Sequence, residues 1–255
     1  MLKLSNLTIE RPIIIASGPL TAKAKHVQEA EDCGAGAASL KLTFVKVPFP
    51  GQMRTYSTPN GAIISPIDKR LNLNEAIELL RECKKTVRMP LFANLGAVGT
   101  RLDEWRLMAQ AFQDAGIDAL ELNYCCPNLD TTALTFDVRE EHGGAQIGQN
   151  PKQCYAITKA IRELVRIPIV CKFLPNAADV RDTAVACERG GADGVHVVGL
   201  PVSGLPPVNV FGNGEPLIGL TDGISFGSAN GTICKHSTFM AIAQVASVIK
   251  IPIIA

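Results

Sequence analysis

Four short apolar runs in this chain each open on a proline, and the spacing of those prolines constrains the architecture more than any other feature. The runs are RPIIIAS from Arg11, RMPLFAN from Arg88, RIPIVCK from Arg166 and KIPIIA from Lys250. Their prolines, Pro12, Pro90, Pro168 and Pro252, stand 78, 78 and 84 residues apart. Proline is tolerated as the first residue of a strand, and an unbroken apolar run after it suits a strand buried on both faces. Three segments of a second shape lie between these runs: GAGAASLKL, AGIDALELN and GADGVHVVG. In each, small residues and glycine end a helix and a strand follows. Amphipathic patterns such as EAIELLRECKKTV, EWRLMAQAFQDAG and CYAITKAIRELV separate the two kinds.

Seven strands alternating with helices imply a parallel sheet with right-handed crossovers. A two-unit period of about 80 residues is what paired β/α units of a closed barrel show. The expected fold class is therefore α/β, a TIM (β/α)8-type barrel read as truncated after its seventh strand, with an open doubly wound sheet as the alternative. A length of 255 residues suits one core, so residues 1–255 read as a single barrel domain lacking its C-terminal end. A longer natural chain, or a partner that covers the exposed edges, is expected. The stretches 44–72, 129–150 and 201–235 read as long irregular loops, which in a compact domain are usually functional.

A net charge of +1, a charged fraction of 19% and no block of like charges argue against capture of nucleic acid or of an acidic membrane. No apolar stretch approaches the roughly 18 residues of a membrane helix, and the N-terminus lacks a signal-like run, so a cytoplasmic protein is expected. None of the eight cysteines has C-x-x-C spacing, which leaves no metal signature. Cys33, Cys83, Cys154, Cys171, Cys187 and Cys234 read mostly as small core residues. His142 and His196 read as loop or core residues.

In a parallel barrel the chemistry gathers at the carboxyl ends of the strands. Those positions hold Ser17 and Gly18, Lys41 and Thr43, Asn94, Asn123 with Cys126, and Lys172 with Asn176. Lys41 and Lys172 interrupt strands covered on both faces, and a buried ammonium costs several kcal/mol unless it meets an anion or a polarised acceptor. Asn94 and Asn123 read equally as ligand-facing amides or as amides that satisfy loop backbone. Cys126 reads either as a buried, inert thiol or, placed after its strand beside Pro127 and before a long loop, as a thiol that can act as acid or base if its pKa is tuned. Cys125 is expected to point away from it and to be structural. The glycine-rich run 219–235 leads into a helix whose amides suit a phosphate.

Five motifs carry a resemblance: ASGPLTAKAKHVQEAEDCGAGAASLKLT, DALELNYCCPN, IGQNP, CKFLPN and GADGVHVVGLPVSGL. The chain resembles the FMN-dependent dihydroorotate dehydrogenases and, more closely in its last third, the pyrimidine-reducing domain of dihydropyrimidine dehydrogenase. The resemblance implies an oxidoreductase that moves a hydride between FMN and the C5–C6 bond of a dihydropyrimidine such as dihydroorotate or dihydrouracil. By the same resemblance Ala16, Ser17, Gly18, Lys41, Asn94, Asn123 and Lys172 would hold FMN. Lys41 and Cys126 would be catalytic, with Cys126 handling the proton at C5, and Asn123 and Asn128 would bind substrate. Expected partners are a pyrimidine-like small molecule, an iron–sulfur or flavin electron-transfer subunit and further copies of the chain. The alternatives are a non-catalytic barrel serving binding or assembly, and an FMN reductase of a non-pyrimidine unsaturated substrate.

The sequence departs from that family in two places. Gly199 and Leu200 stand where the family places Asn-Thr or Asn-Ser, and the loop LGAVGTRLDEW lacks an expected asparagine. Each missing amide partner of a pyrimidine would cost about 1–3 kcal/mol.

Overall fold

Alternation shapes the first element. Leu2, Leu4, Leu7 and Ile9 flank a turn at Ser5, whose φ of 53° is left-handed, and form an antiparallel hairpin of β1 (Leu2–Leu4) and β2 (Leu7–Ile9). The computed structural model describes residues 1–46, 55–64, 70–97, 101–126, 143–175, 177–198, 202–204, 208–214 and 227–255. After Pro12 come β3 (Ile14–Ile15), α1 (Ala24–Asp32), β4 (Ala37–Ser39) and the short β5 (Thr43–Phe44). A second hairpin, β6 (Thr55–Thr58) and β7 (Gly61–Ile64), precedes β8 (Leu71–Asn72). An Asn72–Glu75 capping box starts α2 (Leu73–Thr86), which leads to β9 (Leu91–Leu95), α3 (Leu102–Asp114) and β10 (Ala119–Tyr124). Next are the single turn α4 (Ala145–Gly148) and α5 (Pro151–Arg162), capped by Asn150 with proline in its first turn. Then follow β11 (Ile169–Phe173), α6 (Val180–Gly190) capped by Asp179, and β12 (Gly194–Val197). The last elements are β13 (Val202–Gly204), β14 (Gly227–Gly231), α7 (Lys235–Ala246) and β15 (Ile253–Ile254).

Seven parallel strands lie side by side in the order β15-β12-β11-β10-β9-β4-β3. The order follows the chain without a reversal, as a singly wound barrel requires, and this excludes the doubly wound alternative. The sheet curls 257° round an axis, a half-barrel. Gly34, Gly116 and Gly191 end α1, α3 and α6 with φ of 97°, 82° and 95°, the left-handed helix stops expected from the sequence.

Every proline-led strand after the first is anchored in the same way. Pro90, Pro168 and Pro252 contribute only carbonyls to the ladder, accepting from the N–H groups of Ala38, Leu120 and Val195 at 3.1, 2.9 and 2.9 Å. Backbone N–H groups just before the strands go to side chains near the ends of helices. Glu31 accepts from Arg88 and Met89, Gln113 from Arg166 at 2.7 Å, and Glu188 from Lys250 and Ile251 at 2.7 and 3.2 Å. At the two middle strands an aspartate takes the first strand N–H. Asp118 accepts from Leu91 at 2.8 Å and Asp193 from Ile169 at 2.9 Å. The aspartates are fixed in turn by Lys84 at 2.7 Å and Arg162 at 2.9 Å.

Two stretches expected to be irregular contain strands. β6 and β7, from 44–72, join β13 and β14, from 201–235, in an antiparallel sheet of order β13-β14-β7-β6. These strands are built largely of Thr, Ser, Gly and Ala, so they lack the apolar alternation that marks a strand in sequence. Cys33, expected in the core, is exposed after α1, whereas Cys83, Cys154, Cys171, Cys187 and Cys234 are buried. Among the described residues no helix is long and apolar enough to cross a membrane.

Candidate active site

The interior of the half-barrel changes character at one level. Ala37, Phe92, Ala119 and Val170 pack with Leu4 and Ile9 of the N-terminal hairpin, which plugs the amino-terminal end. Gly194 belongs to the same level, because a Cβ there would lie 2.7 Å from Leu4 Cδ2. Side chains two residues apart on a strand share a face. The next inward positions are Ser39, Asn94, Glu121, Lys172 and His196, one polar residue from each of five strands.

These five residues converge on the carboxylate of Glu121. Oε2 accepts from Ser39 Oγ at 2.5 Å and from Asn94 Nδ2, and Lys172 Nζ lies 3.7 Å from it. Oε1 meets His196 Nδ1 at 2.7 Å, and an ionised carboxylate only accepts, so Nδ1 carries the proton in this contact. Burial pushes the Glu121 carboxyl up, but Lys172, then His196 and Ser39, outweigh it and hold the group well below the usual carboxylate range. For Lys172 burial opposes the charge, and Glu121 more than restores it, leaving the ammonium above its ordinary value. The anion that a buried Lys172 requires is therefore supplied by the protein itself.

Asn94 is fully buried, and its Oδ1 accepts from Asn123 Nδ2 at 2.9 Å. It links the Glu121 cluster to the strand end above. Asn123 Oδ1 accepts the N–H groups of Cys125 and Cys126 at 3.1 and 3.2 Å, a turn that takes the chain out of β10. That turn ends strand alternation. Cys125 still packs apart from Cys126, against Ala145 and Leu174, and its thiol donates to Asn123 Oδ1 at 3.2 Å. Burial, partly offset by Lys172, pushes the Cys125 thiol up to about 12, which keeps it protonated at neutral pH.

Cys126 is half-buried and packs against Leu42 and Phe44. Arg70, itself buried, directs Nη2 to Cys126 Sγ at 3.6 Å. Lys41, two residues beyond Ser39, is 4% exposed; its N–H donates to Thr21 O at 3.1 Å, and its carbonyl accepts from Thr43 Oγ1 at 3.0 Å. Ala16 lies just past β3 and, with Ile14, His196 and Ile254, lines a cavity of about 320 Å³. Ser17 is half-buried, and Gly18 is held in a turn by Thr21 Oγ1 at 3.1 Å. Asn128, Asn176, His142, Gly199 and Leu200 lie outside the described residues.

Sequence reasoning passed over Glu121, Ser39, His196 and Arg70. Strand alternation carried a signal for the first three, since Glu121 shares the parity of Asn123, Ser39 that of Lys41, and His196 lies beside Lys172 in the ladder. Arg70 sits just ahead of a two-residue strand in a segment without periodicity, and nothing local marked it.

Comparison with known proteins gives consistent matches. The sequence profile of the family described as dihydroorotate dehydrogenase matches residues 1–255. The chain is 28% identical over 250 residues to the dihydroorotate dehydrogenase B (NAD(+)) catalytic subunit of Enterococcus faecalis, covering 97% of this chain and 74% of that protein. Catalytic subunits of the same name from Desulforudis audaxviator and Pyrococcus horikoshii are each 26% identical, over 98% and 99% of this chain and 76% of theirs.

Proposed function

The chain belongs to the dihydroorotate dehydrogenase family, and from that premise we propose that it is an FMN-dependent oxidoreductase acting on the CH–CH bond of dihydroorotate. FMN is the cofactor of this family. The similar proteins are named as catalytic subunits, which supports a separate subunit as the route for electrons.

The donor set fits the cofactor. Lys41 and Lys172 are buried ammonium groups near the strand ends, and the Asn123 amide stands beside Lys172 in the ladder. Such N–H donors suit a planar ring whose pyrimidine edge carries acceptors, and cations there favour negative charge on the reduced ring. When bound, FMN supplies the two-electron acceptor for the hydride leaving C6. Lys172 and Lys41 would hold the ring edge, and Asn123 fixes the turn that presents Cys126. Cys126, acting as its thiolate, takes the proton from C5 as general base, so hydride and proton leave by different routes. Ala16, Ser17 and Gly18, just past the end of β3, would line the ring.

The observation that carries the reading is the shared switch from an apolar floor to Ser39, Asn94, Glu121, Lys172 and His196 on five strands. The test is anaerobic mixing of flavin-loaded protein with dihydroorotate. The flavin absorbance bleaches, and Cys126→Ser retains the flavin while slowing bleaching by about 10²–10⁴-fold. Flavin-loaded protein that dihydroorotate leaves oxidised overturns the reading. In that case bleaching by enoates or cyclic imides marks a different substrate.

A further inference from the structure

We propose that Glu121 is a positioning residue that sets the reduction potential of the bound flavin by compensating the charge of Lys172. The inference rests on the FMN reading above and deepens it. Lys172 is the cation of the inner polar layer, and Glu121 Oε2 is its counter-charge at 3.7 Å. At that separation the pair is chiefly electrostatic. Glu121 has no freedom to leave. Ser39 and Asn94 hold Oε2 and His196 holds Oε1, each from a different strand, and the residue is 2% exposed. Four strands thus lock one negative charge beneath the lysine, in an interior where charges act strongly on one another. A flavin ring held by Lys172 would meet a compensated charge instead of a bare cation, and its reduced form would gain less stabilisation than Lys172 alone would give.

The test is the midpoint potential of the bound flavin, measured with reference dyes and a chemical reductant and without substrate. Glu121→Gln removes the compensating charge and raises the potential, by at least tenfold in the reduced-to-oxidised ratio, about 30 mV for a two-electron couple. Lys172→Met leaves the carboxylate uncompensated and lowers it. The double variant Glu121→Gln/Lys172→Met lies above Lys172→Met and near the unmodified protein. A potential unchanged by Glu121→Gln overturns the proposal. If that single variant does not fold, equal potentials for Lys172→Met and the double variant overturn it in the same way. Because no substrate is present, a null result here leaves the dihydroorotate reading standing. A chain that takes up no FMN overturns both.

Discussion

His196 on β12 hydrogen-bonds through Nδ1 to Oε1 of Glu121 on β10, 2.7 Å away, reaching across the intervening strand β11. The contact ties three neighbouring strands together through side chains as well as through the ladder. The cluster is also sensitive to acid, because protonating the carboxyl removes the negative charge that Lys172 and the other donors meet.

The Glu121 carboxyl lies below its ordinary value in the folded protein, so the folded state binds fewer protons than the unfolded one. Its contribution to stability is complete above the unfolded value of about 4.3 and declines as pH falls below it. The difference in urea midpoint between the unmodified protein and Glu121→Gln is therefore largest at neutral pH and narrows in acid. An equal difference at both ends of that range contradicts the assignment of charge.

The adjacent thiols differ in surroundings and so in reactivity. Cys125 is buried with its pKa pushed up to about 12, while Cys126 is half-buried and Cys33 exposed. Thiolate is the reacting form. Brief alkylation of the folded protein at neutral pH modifies Cys33 and Cys126 and spares Cys125, as read by peptide mass spectrometry. Modification of Cys125 at a rate comparable with Cys126 counts against the geometry.

Glu188 accepts two backbone N–H groups, from Lys250 and Ile251, that precede β15. Replacing it with alanine leaves both without this acceptor and lowers stability by about 1–3 kcal/mol, whereas Glu188→Gln retains an acceptor and loses less. Denaturant midpoints with unchanged slopes check this. Equal losses for the two variants would place the effect in charge and not in the hydrogen bonds.

Gly194 gives the N-terminal hairpin room to seat. A methyl group there lies 2.7 Å from Leu4 Cδ2, the flexible end of a side chain, so Gly194→Ala costs about 1–3 kcal/mol. Shortening Leu4 relieves the clash. The double variant Gly194→Ala/Leu4→Ala is accordingly less destabilised than the two single changes summed, and strict additivity refutes the contact.

Much of the scaffold was legible in the sequence because its signals are local. Pro90, Pro168 and Pro252 each mark a strand start, and Gly34, Gly116 and Gly191 each mark a helix stop. The hairpin at Leu2–Leu4 and Leu7–Ile9 was equally visible as alternation but went unread. At the site, Lys172 stood out because a cation interrupts an apolar strand, whereas its counter-charge Glu121 did not, since the pairing depends on sheet curvature. Cys125 packs apart from Cys126, as alternation implies, even though Asn123 bends the chain there. The antiparallel sheet of β6, β7, β13 and β14 was hidden by composition, and Arg70 meets Cys126 through a separation of 56 residues that no spacing rule spans.

The anchors at Glu31, Gln113 and Glu188 each fasten a strand start to a neighbouring helix, with no reach into the rest of the ring. Such joints behave like hinges on a folding screen, whose panels can be added, removed or exchanged while the others keep their fittings. A grafted panel that carries its own acceptor and its own proline should slot into place, which makes this scaffold a natural host for chimeras assembled from related chains.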